Sequence, residues 1–165
     1  MKKKKKGNTT SVNEDKELIK FLSNVTLFED LSRNERKNLK QYIYIRNFKS
    51  DEIVFKKGYP NVVFYIVKEG ELNVYIDTKE EPRILNTLHA LDFFGEIGLF
   101  LDETRTASIV AVKDSVLLGI SKKDFANFIG RFPRAGNKIL YKSGEILSKH
   151  IINLNKKFNI EKELL

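Results

Sequence analysis

The segment Val62–Asp77, VVFYIVKEGELNVYID, determines the fold class of this chain of 165 residues. It contains two short runs of Val, Ile, Phe and Tyr on either side of the turn signal Glu69-Gly70, a composition typical of β-strands. Similar runs lie between Tyr42 and Ser121 at intervals of roughly ten residues, namely YIYIRNFKS, EIVFKKG, RILNTLHA, TASIVAVKD and VLLGIS. The pattern indicates about seven or eight antiparallel strands in a sandwich or jelly roll.

Helices are predicted on both sides of the strand region. Ser-x-x-Glu capping boxes at Ser11–Glu14 and Ser32–Glu35 predict two short N-terminal helices. Ser121–Asp124 predicts a third helix, which Pro133 ends while suiting the first position of another. The apolar pattern extends that last helix to about Phe158. We therefore expect an α+β domain, an antiparallel β-roll of about eight strands flanked by N-terminal helices and a long C-terminal helix.

The expected domain organisation is simple. Residues 1–13 are predicted to be a disordered basic tail and residues 14–165 a single domain, with the β-roll at about 42–121 and the C-terminal helices at about 122–160. Along the last helix a seam of apolar positions recurs at alternating intervals of four and three residues. Its members are Leu140, Gly144, Leu147, Ile151, Leu154 and Phe158, and only Gly144 interrupts the apolar side chains. This seam is consistent either with packing on the β-roll or with a homodimer through the helix, and we expect the homodimer.

Composition excludes several classes of function. The net charge is +8, but Lys2–Lys6 supply most of it, as a solvated tail or a tether to nucleic acid or anionic lipid. The chain has no cysteine and two histidines, which excludes disulfides, thiolate metal sites and a histidine-rich metal centre. It has no nucleophile–base pair and no G-x-x-x-x-G-K loop, so we do not expect an enzyme. No signal peptide or membrane span is recognisable, so a soluble cytoplasmic protein is expected.

The candidate site is Phe94–Ser108, FGEIGLFLDETRTAS, which places Glu96 and Arg105 around a glycine-containing segment. Gly95 and Gly98 would let backbone approach a ligand closely. A turn of helix at 97–101 would direct free amides at a phosphate.

The polar side chains of this segment suit the two halves of a nucleotide. The Arg105 guanidinium could bind two phosphate oxygens, and the hydroxyls of Thr106 and Ser108 add donors. The Glu96 carboxylate repels phosphate but can accept hydrogen bonds from sugar hydroxyls. These groups suit a nucleotide; the alternative is a structural ion pair between Glu96 and Arg105.

The order of residues Phe94–Leu99 and Arg105–Ala111 resembles the phosphate-binding cassette of the cyclic nucleotide-binding domain family, F-G-E-x-[AG]-L…R-[TS]-A-x-[VI]. The resemblance, which includes the catabolite activator protein and the regulatory subunits of cAMP-dependent protein kinase, extends from about Leu18 to Phe158. It implies a β-roll that binds cAMP or cGMP. Arg105 would then bind the cyclic phosphate, and Glu96 would accept from the ribose 2′-hydroxyl.

The resemblance also implies a wider binding set. The long terminal helix of this family closes over the base as a lid. The expected ligand-binding residues are Leu85, Leu88, Gly95, Glu96, Ile97, Gly98, Leu99, Arg105, Thr106, Ala107 and, from the lid, His150 and Ile151. Thr104 stands where many relatives have proline and Asn73 where a small residue is usual. Thr106 is compatible with either nucleotide.

The expected function is a stand-alone cyclic nucleotide sensor that signals through movement of its C-terminal helix to an unidentified effector protein. In the catabolite activator family that helix leads to a DNA-binding module, whereas here only seven residues follow Phe158, so no such module is expected. The alternative is an interaction or scaffold domain that keeps the fold and has lost the ligand.

Overall fold

The β-strands form two four-stranded antiparallel sheets in a computed structural model that describes residues 8–158. The strands are β1 (Tyr44–Phe48), β2 (Ile53–Phe55), β3 (Val63–Glu69), β4 (Leu72–Ile76), β5 (Arg83–Leu88), β6 (Phe93–Phe94), β7 (Ser108–Ala111) and β8 (Ser115–Ser121). Their orders are β1-β8-β3-β6 and β2-β7-β4-β5. The predicted jelly roll is confirmed, and β6, which has only two residues, is the strand that no predicted run contained.

The helices are α1 (Asn8–Leu22), α2 (Arg33–Lys40), α3 (Ile97–Phe100), α4 (Lys122–Arg131) and α5 (Pro133–Phe158), with a 3₁₀ turn at Thr26–Phe28. α4 and α5 confirm the predicted C-terminal helices, including Pro133 as the first residue of α5. None of the helices within residues 8–158 is both long and apolar enough to cross a bilayer.

The segment that predicts the β fold passes from one sheet to the other. β3 lies between β8 and β6, whereas β4 lies between β7 and β5. The chain crosses at Gly70, whose φ is +101°, and a Cβ there would lie 2.6 Å from the Cα of Ser115. A side chain at this position would therefore be strained both by its backbone conformation and by contact with β8.

Alternate residues of β3 belong to two different cores. Phe64 and Ile66 pack with the helices, in a core that also contains Phe28, Phe128 and Ile139. The residues that alternate with them, Tyr65 and Val67, pack between the two sheets. Because both faces of β3 are covered, its sequence is continuously apolar rather than alternating.

Two of the three predicted helix caps are confirmed. At α2 the Glu35 amide donates to Ser32 Oγ at 3.3 Å and the Ser32 amide donates to the Glu35 carboxylate at 2.7 Å. At α4 the Asp124 amide donates to Ser121 Oγ at 3.0 Å.

The predicted cap at Ser11 is wrong, because α1 begins at Asn8. Asn8, Thr9, Thr10 and Ser11 are all of N-cap type, but they lie within the helix rather than before it. Residues 8–13 of the predicted tail lie in α1, and its lysines, Lys2–Lys6, lie outside the described residues.

Helix α5 has one buried and one exposed apolar face. Ile139 and Ser143 are buried, and Ile146 packs against the helical core. The predicted seam is exposed where its side chains are described, at Leu140, Leu147, Ile151 and Leu154. Packing of the whole apolar stripe on the β-roll is therefore wrong. The side chain of Phe158 lies outside the described part.

Salt bridges attach α5 to the N-terminal helical region. Lys138 Nζ lies 2.8 Å from the Glu35 carboxylate at the start of α2. One turn later, Lys142 pairs with Glu29 and, at 3.2 Å, with Glu145.

Candidate functional site

A pocket of about 140 Å³ opens between the sheets beside the Phe94–Ser108 segment. Most of the predicted site residues line it: Leu88, Gly95, Glu96, Ile97, Arg105, Thr106 and Ala107. The other lining residues are Phe55, Asn61, Val74, Phe94 and Ile109. The pocket therefore combines one buried cation, one carboxylate and an apolar wall.

Arg105 is buried, with 5% of its surface exposed. Its Nη2 donates to the Val63 carbonyl at 2.7 Å, and its guanidinium carbon lies 3.8 Å from the centre of the Phe55 ring, a cation–π geometry. Its Nε and Nη1 are buried and have no hydrogen-bond partner in the described part of the chain. Buried donors are rarely left unpaired, so these two nitrogens are suited to donate hydrogen bonds to a bound anion.

The buried charge of Arg105 is not neutralised by the protein. Burial lowers its pKa to about 10, against the opposing effects of Tyr65, Tyr44 and Glu96, so the side chain remains charged at neutral pH. Among residues with described side chains, no salt bridge joins Arg105 to Glu96. A structural ion pair between them, the alternative raised by the sequence, is therefore not what the structure contains.

Gly95 is the glycine that the site requires. Its φ is +80°, and a Cβ would collide with Arg105 Nη1 and lie 2.8 Å from the Val63 carbonyl oxygen. Only glycine combines this left-handed conformation with room for the guanidinium.

The predicted turn of helix is confirmed as α3, but it has only four residues. The dipole of a helix is the sum of its aligned peptide units, so a helix this short adds little positive charge at its N-terminus. Arg105 is therefore the main positive group of the pocket. Gly98 is buried against Asn61, and Leu99 packs toward the helical core. The structure therefore brings neither Gly98 nor Leu99 to the lining of the pocket.

Leu85 does not join Leu88 in the pocket wall and is 52% exposed. The pairing of β4 with β5 passes from Val74–Asn86 to Tyr75–Ile84. Leu85 lies at this bulge without a partner in β4, and a bulge interrupts the alternation of faces along a strand.

His150 and Ile151 do not line the pocket that contains Arg105. His150 lines a neighbouring pocket of about 330 Å³, which shares only Leu88 and Glu96 with the first. Ile151 is 58% exposed. His150 lies one turn beyond Ile146 and shares its face of α5, whereas the next residue turns away from the domain.

The two departures from the family pattern are accommodated. Thr104 forms an antiparallel bridge with Pro60, so this position is held by the backbone rather than by a proline ring. Asn73 lies within β4, and its Oδ1 accepts from the Thr87 hydroxyl of β5 at 2.9 Å. Neither change interrupts the strands.

Phe55, whose ring lies against the Arg105 guanidinium, and Asn61 are pocket residues that the sequence does not predict. Phe55 reaches Arg105 because β2 pairs with β7, where Phe55 lies opposite Ile109. Asn61 follows the Pro60 bridge. Such pairings join residues far apart in the chain, and no local motif indicates them.

The chain is similar in sequence to known nucleotide-regulated proteins. The family model described as "Cyclic nucleotide-binding domain" matches residues 45–132. The cGMP-dependent protein kinase egl-4 of Caenorhabditis elegans is 28% identical over 117 residues, 69% of this chain and 15% of that protein. The cAMP-dependent protein kinase regulatory subunit of Dictyostelium discoideum is 27% identical over 114 residues, 67% of this chain and 35% of that protein. The chain thus spans about a third or less of these two relatives.

A solved structure has the same fold. A cyclic nucleotide-binding domain from Methylobacillus flagellatus superposes with a TM-score of 0.75 at 21% identity, covering 90% of this chain and 84% of that one.

Proposed function

Because this chain belongs to the cyclic nucleotide-binding domain family, we propose that it binds cAMP or cGMP in the pocket that contains Arg105. The observation that carries the proposal is the unpaired state of the Arg105 Nε and Nη1 atoms in a side chain that is 5% exposed. A cyclic phosphate supplies the acceptors and the negative charge that these donors lack. Relatives named for either nucleotide match the chain, so both are tested.

The remaining pocket residues fit the other parts of a nucleotide. Glu96 accepts from the sugar hydroxyl, and the backbone at Gly95 and Ile97 faces the sugar. Thr106 and Ala107 contact the phosphate. The pocket of about 140 Å³ is smaller than the usual range for a ligand site, about 300–1,000 Å³, so the base extends into the neighbouring pocket of about 330 Å³.

Calorimetric titration with cAMP and with cGMP tests this function. We expect the wild-type protein to bind at least one of them. Arg105→Ala should weaken binding at least tenfold, because a charge-assisted hydrogen bond contributes about 1.5–3 kcal/mol. Arg134→Ala is the matched control, since Arg134 is exposed at the start of α5 and should leave affinity unchanged.

Two results would contradict the proposal. If neither nucleotide gives heat or a thermal shift at millimolar concentration, the scaffold function is favoured instead. If a nucleotide binds but Arg105→Ala leaves its affinity unchanged, the phosphate does not bind at Arg105.

We further propose a regulatory, non-catalytic role in which the nucleotide changes the position of α5 and so signals to an effector protein. Support comes from Ile146 and His150 of α5, which line the neighbouring pocket together with Glu96. A ligand shifts such an equilibrium only by its difference in affinity for the two positions, and several kcal/mol are needed for a nearly complete shift.

The exposed apolar seam of α5 supports a homodimer through this helix. Leu140, Leu147, Ile151 and Leu154 are each more than a third exposed. Their spacing of four and three is that of a coiled-coil seam, and a second copy would cover them.

A further inference from the structure

The pocket contains a second buried polar side-chain atom that has no hydrogen-bond partner among the described residues, Oδ1 of Asn61. Its side chain is buried, with 7% of the residue exposed, and no described group donates to its Oδ1. Where side chains are described, four buried polar atoms lack partners, and three of them belong to Arg105 and Asn61. Since nearly all buried polar groups in proteins are paired, this clustering in one pocket indicates a ligand with a group for each.

The backbone on both sides of Asn61 is anchored to neighbouring segments. Pro60 is bridged to Thr104, and the Val62 carbonyl accepts from the Lys122 amide at 2.9 Å. On the other side, a Cβ at Gly98 would lie 2.6 Å from Asn61 Oδ1, so α3 covers the carboxamide closely. The side-chain carboxamide therefore lies at the pocket between α3 and the anchored backbone of Pro60 and Val62.

The chemistry of the carboxamide selects among the groups of a nucleotide. In the orientation observed, the buried atom without a partner is an acceptor, which a phosphate oxygen cannot satisfy. A half turn of the carboxamide would present its nitrogen instead. A hydroxyl that donates its proton to Glu96 can still accept from that nitrogen, because it has one donor and two acceptor positions.

We propose that Asn61 binds the 2′-hydroxyl of the cyclic nucleotide with its carboxamide turned so that the nitrogen donates to the hydroxyl oxygen, while the hydroxyl proton goes to the Glu96 carboxylate. This inference rests on the proposed function and adds a sugar-recognition residue that the family motif does not contain. Arg105 and Glu96 line the same pocket as Asn61. The phosphate and the 2′-hydroxyl then each meet one of the groups left unpaired by the protein.

A cycle of two variants and two ligands tests Asn61. Affinities are measured by calorimetry for wild type and Asn61→Ala, each with the tighter-binding of cAMP and cGMP and with its 2′-deoxy analogue. Loss of one hydrogen bond between neutral groups corresponds to about three- to tenfold in affinity. We expect Asn61→Ala to lose that factor for the natural nucleotide and less than about twofold for the 2′-deoxy analogue.

Equal losses for both ligands would overturn the proposal, since Asn61 would then act on the phosphate or on pocket shape. No loss for either ligand would overturn it as well. Asn61→Ser, which keeps a polar side chain, replaces the alanine variant if that protein does not fold. Asn47→Ala, at an exposed asparagine of β1, is the control and should show the wild-type preference. Weak binding of both ligands to Arg105→Ala, with no coupling at Asn61, would leave the proposed function standing and remove this inference alone.

Discussion

Replacing Arg105 with methionine should weaken nucleotide binding at least tenfold without unfolding the ligand-free protein. Removing one partner of a buried ion pair usually costs about 3–5 kcal/mol, because the opposite charge is left buried. Here no carboxylate is left behind, since no salt bridge joins Glu96 to Arg105 among the described side chains. Methionine also retains an apolar side chain that can contact the Phe55 ring.

The structure gives the size of the opposing effects. Burial lowers the pKa of Arg105 from its ordinary value to about 10, which corresponds to about 3 kcal/mol against the buried cation. The variant loses the 2.7 Å hydrogen bond to the Val63 carbonyl, worth about 1.5–3 kcal/mol, and a cation–π contact worth about 0.5–2 kcal/mol. These contributions nearly cancel, so we expect the free energy of unfolding to change by less than about 2 kcal/mol.

Urea unfolding followed by circular dichroism measures both consequences. Without ligand, wild type and Arg105→Met should have similar free energies of unfolding. At a nucleotide concentration of about 100 times the wild-type Kd, wild type should gain about 2.7 kcal/mol, while a variant that binds at least tenfold more weakly should gain no more than about 1.4 kcal/mol. A loss of more than about 3 kcal/mol in the ligand-free variant would refute the reasoning, because it would show that the guanidinium holds the fold together. Equal stabilisation of both proteins by nucleotide would refute it too.

Three further changes have definite expected outcomes. Gly95→Ala forces a side chain into a left-handed conformation and against the buried guanidinium. It should lower the free energy of unfolding by about 1–2 kcal/mol and the nucleotide affinity at least tenfold. Gly130→Ala, with open space around it, should lower neither quantity in the same assays. Burial raises the pKa of Glu35, but hydrogen bonds from Lys138 of α5 and from the N-cap residue Ser32 lower it below 4.5 overall. The resulting stability is present above pH 4.5 and is lost as the pH falls through the lower folded pKa. The free energy of unfolding in urea should therefore fall more steeply below pH 4.5 for wild type than for Glu35→Gln. Leu147→Glu, on the exposed seam, should convert a dimer to monomers in sedimentation velocity while Asn137→Glu does not; an unchanged mass would remove the seam as the interface.

Features encoded by neighbouring residues were predictable from the sequence. The turn at Glu69-Gly70 and the apolar runs beside it identify β3 and β4, because strand propensity and turn chemistry act within a few residues. The capping box at Ser32 and the proline at the start of α5 are equally local. In the candidate site, Gly95 and Arg105 were found because one continuous segment carries them both.

Features that depend on pairing between distant strands were not predictable. Asn61 and Phe55 reach the pocket through the Pro60–Thr104 bridge and the pairing of β2 with β7, which no local pattern specifies. Leu85 was misplaced because the bulge opposite Val74 and Tyr75 leaves no signal in an apolar strand. The two-residue strand β6 is too short to produce a recognisable run.

The position of α5 limits how a nucleotide can act on it. The sequence predicts His150 and Ile151 as the lid. The rotation of α5 about its own axis is set by the packing of Ile139 and Ile146 in the helical core. This packing turns Ile151 outward. His150 lines the neighbouring pocket, which shares Leu88 and Glu96 with the candidate site. Glu96 is the polar residue that lines both pockets. A carboxylate that accepts a sugar hydroxyl on one side and faces α5 on the other would carry the change from ligand to helix by the shortest route.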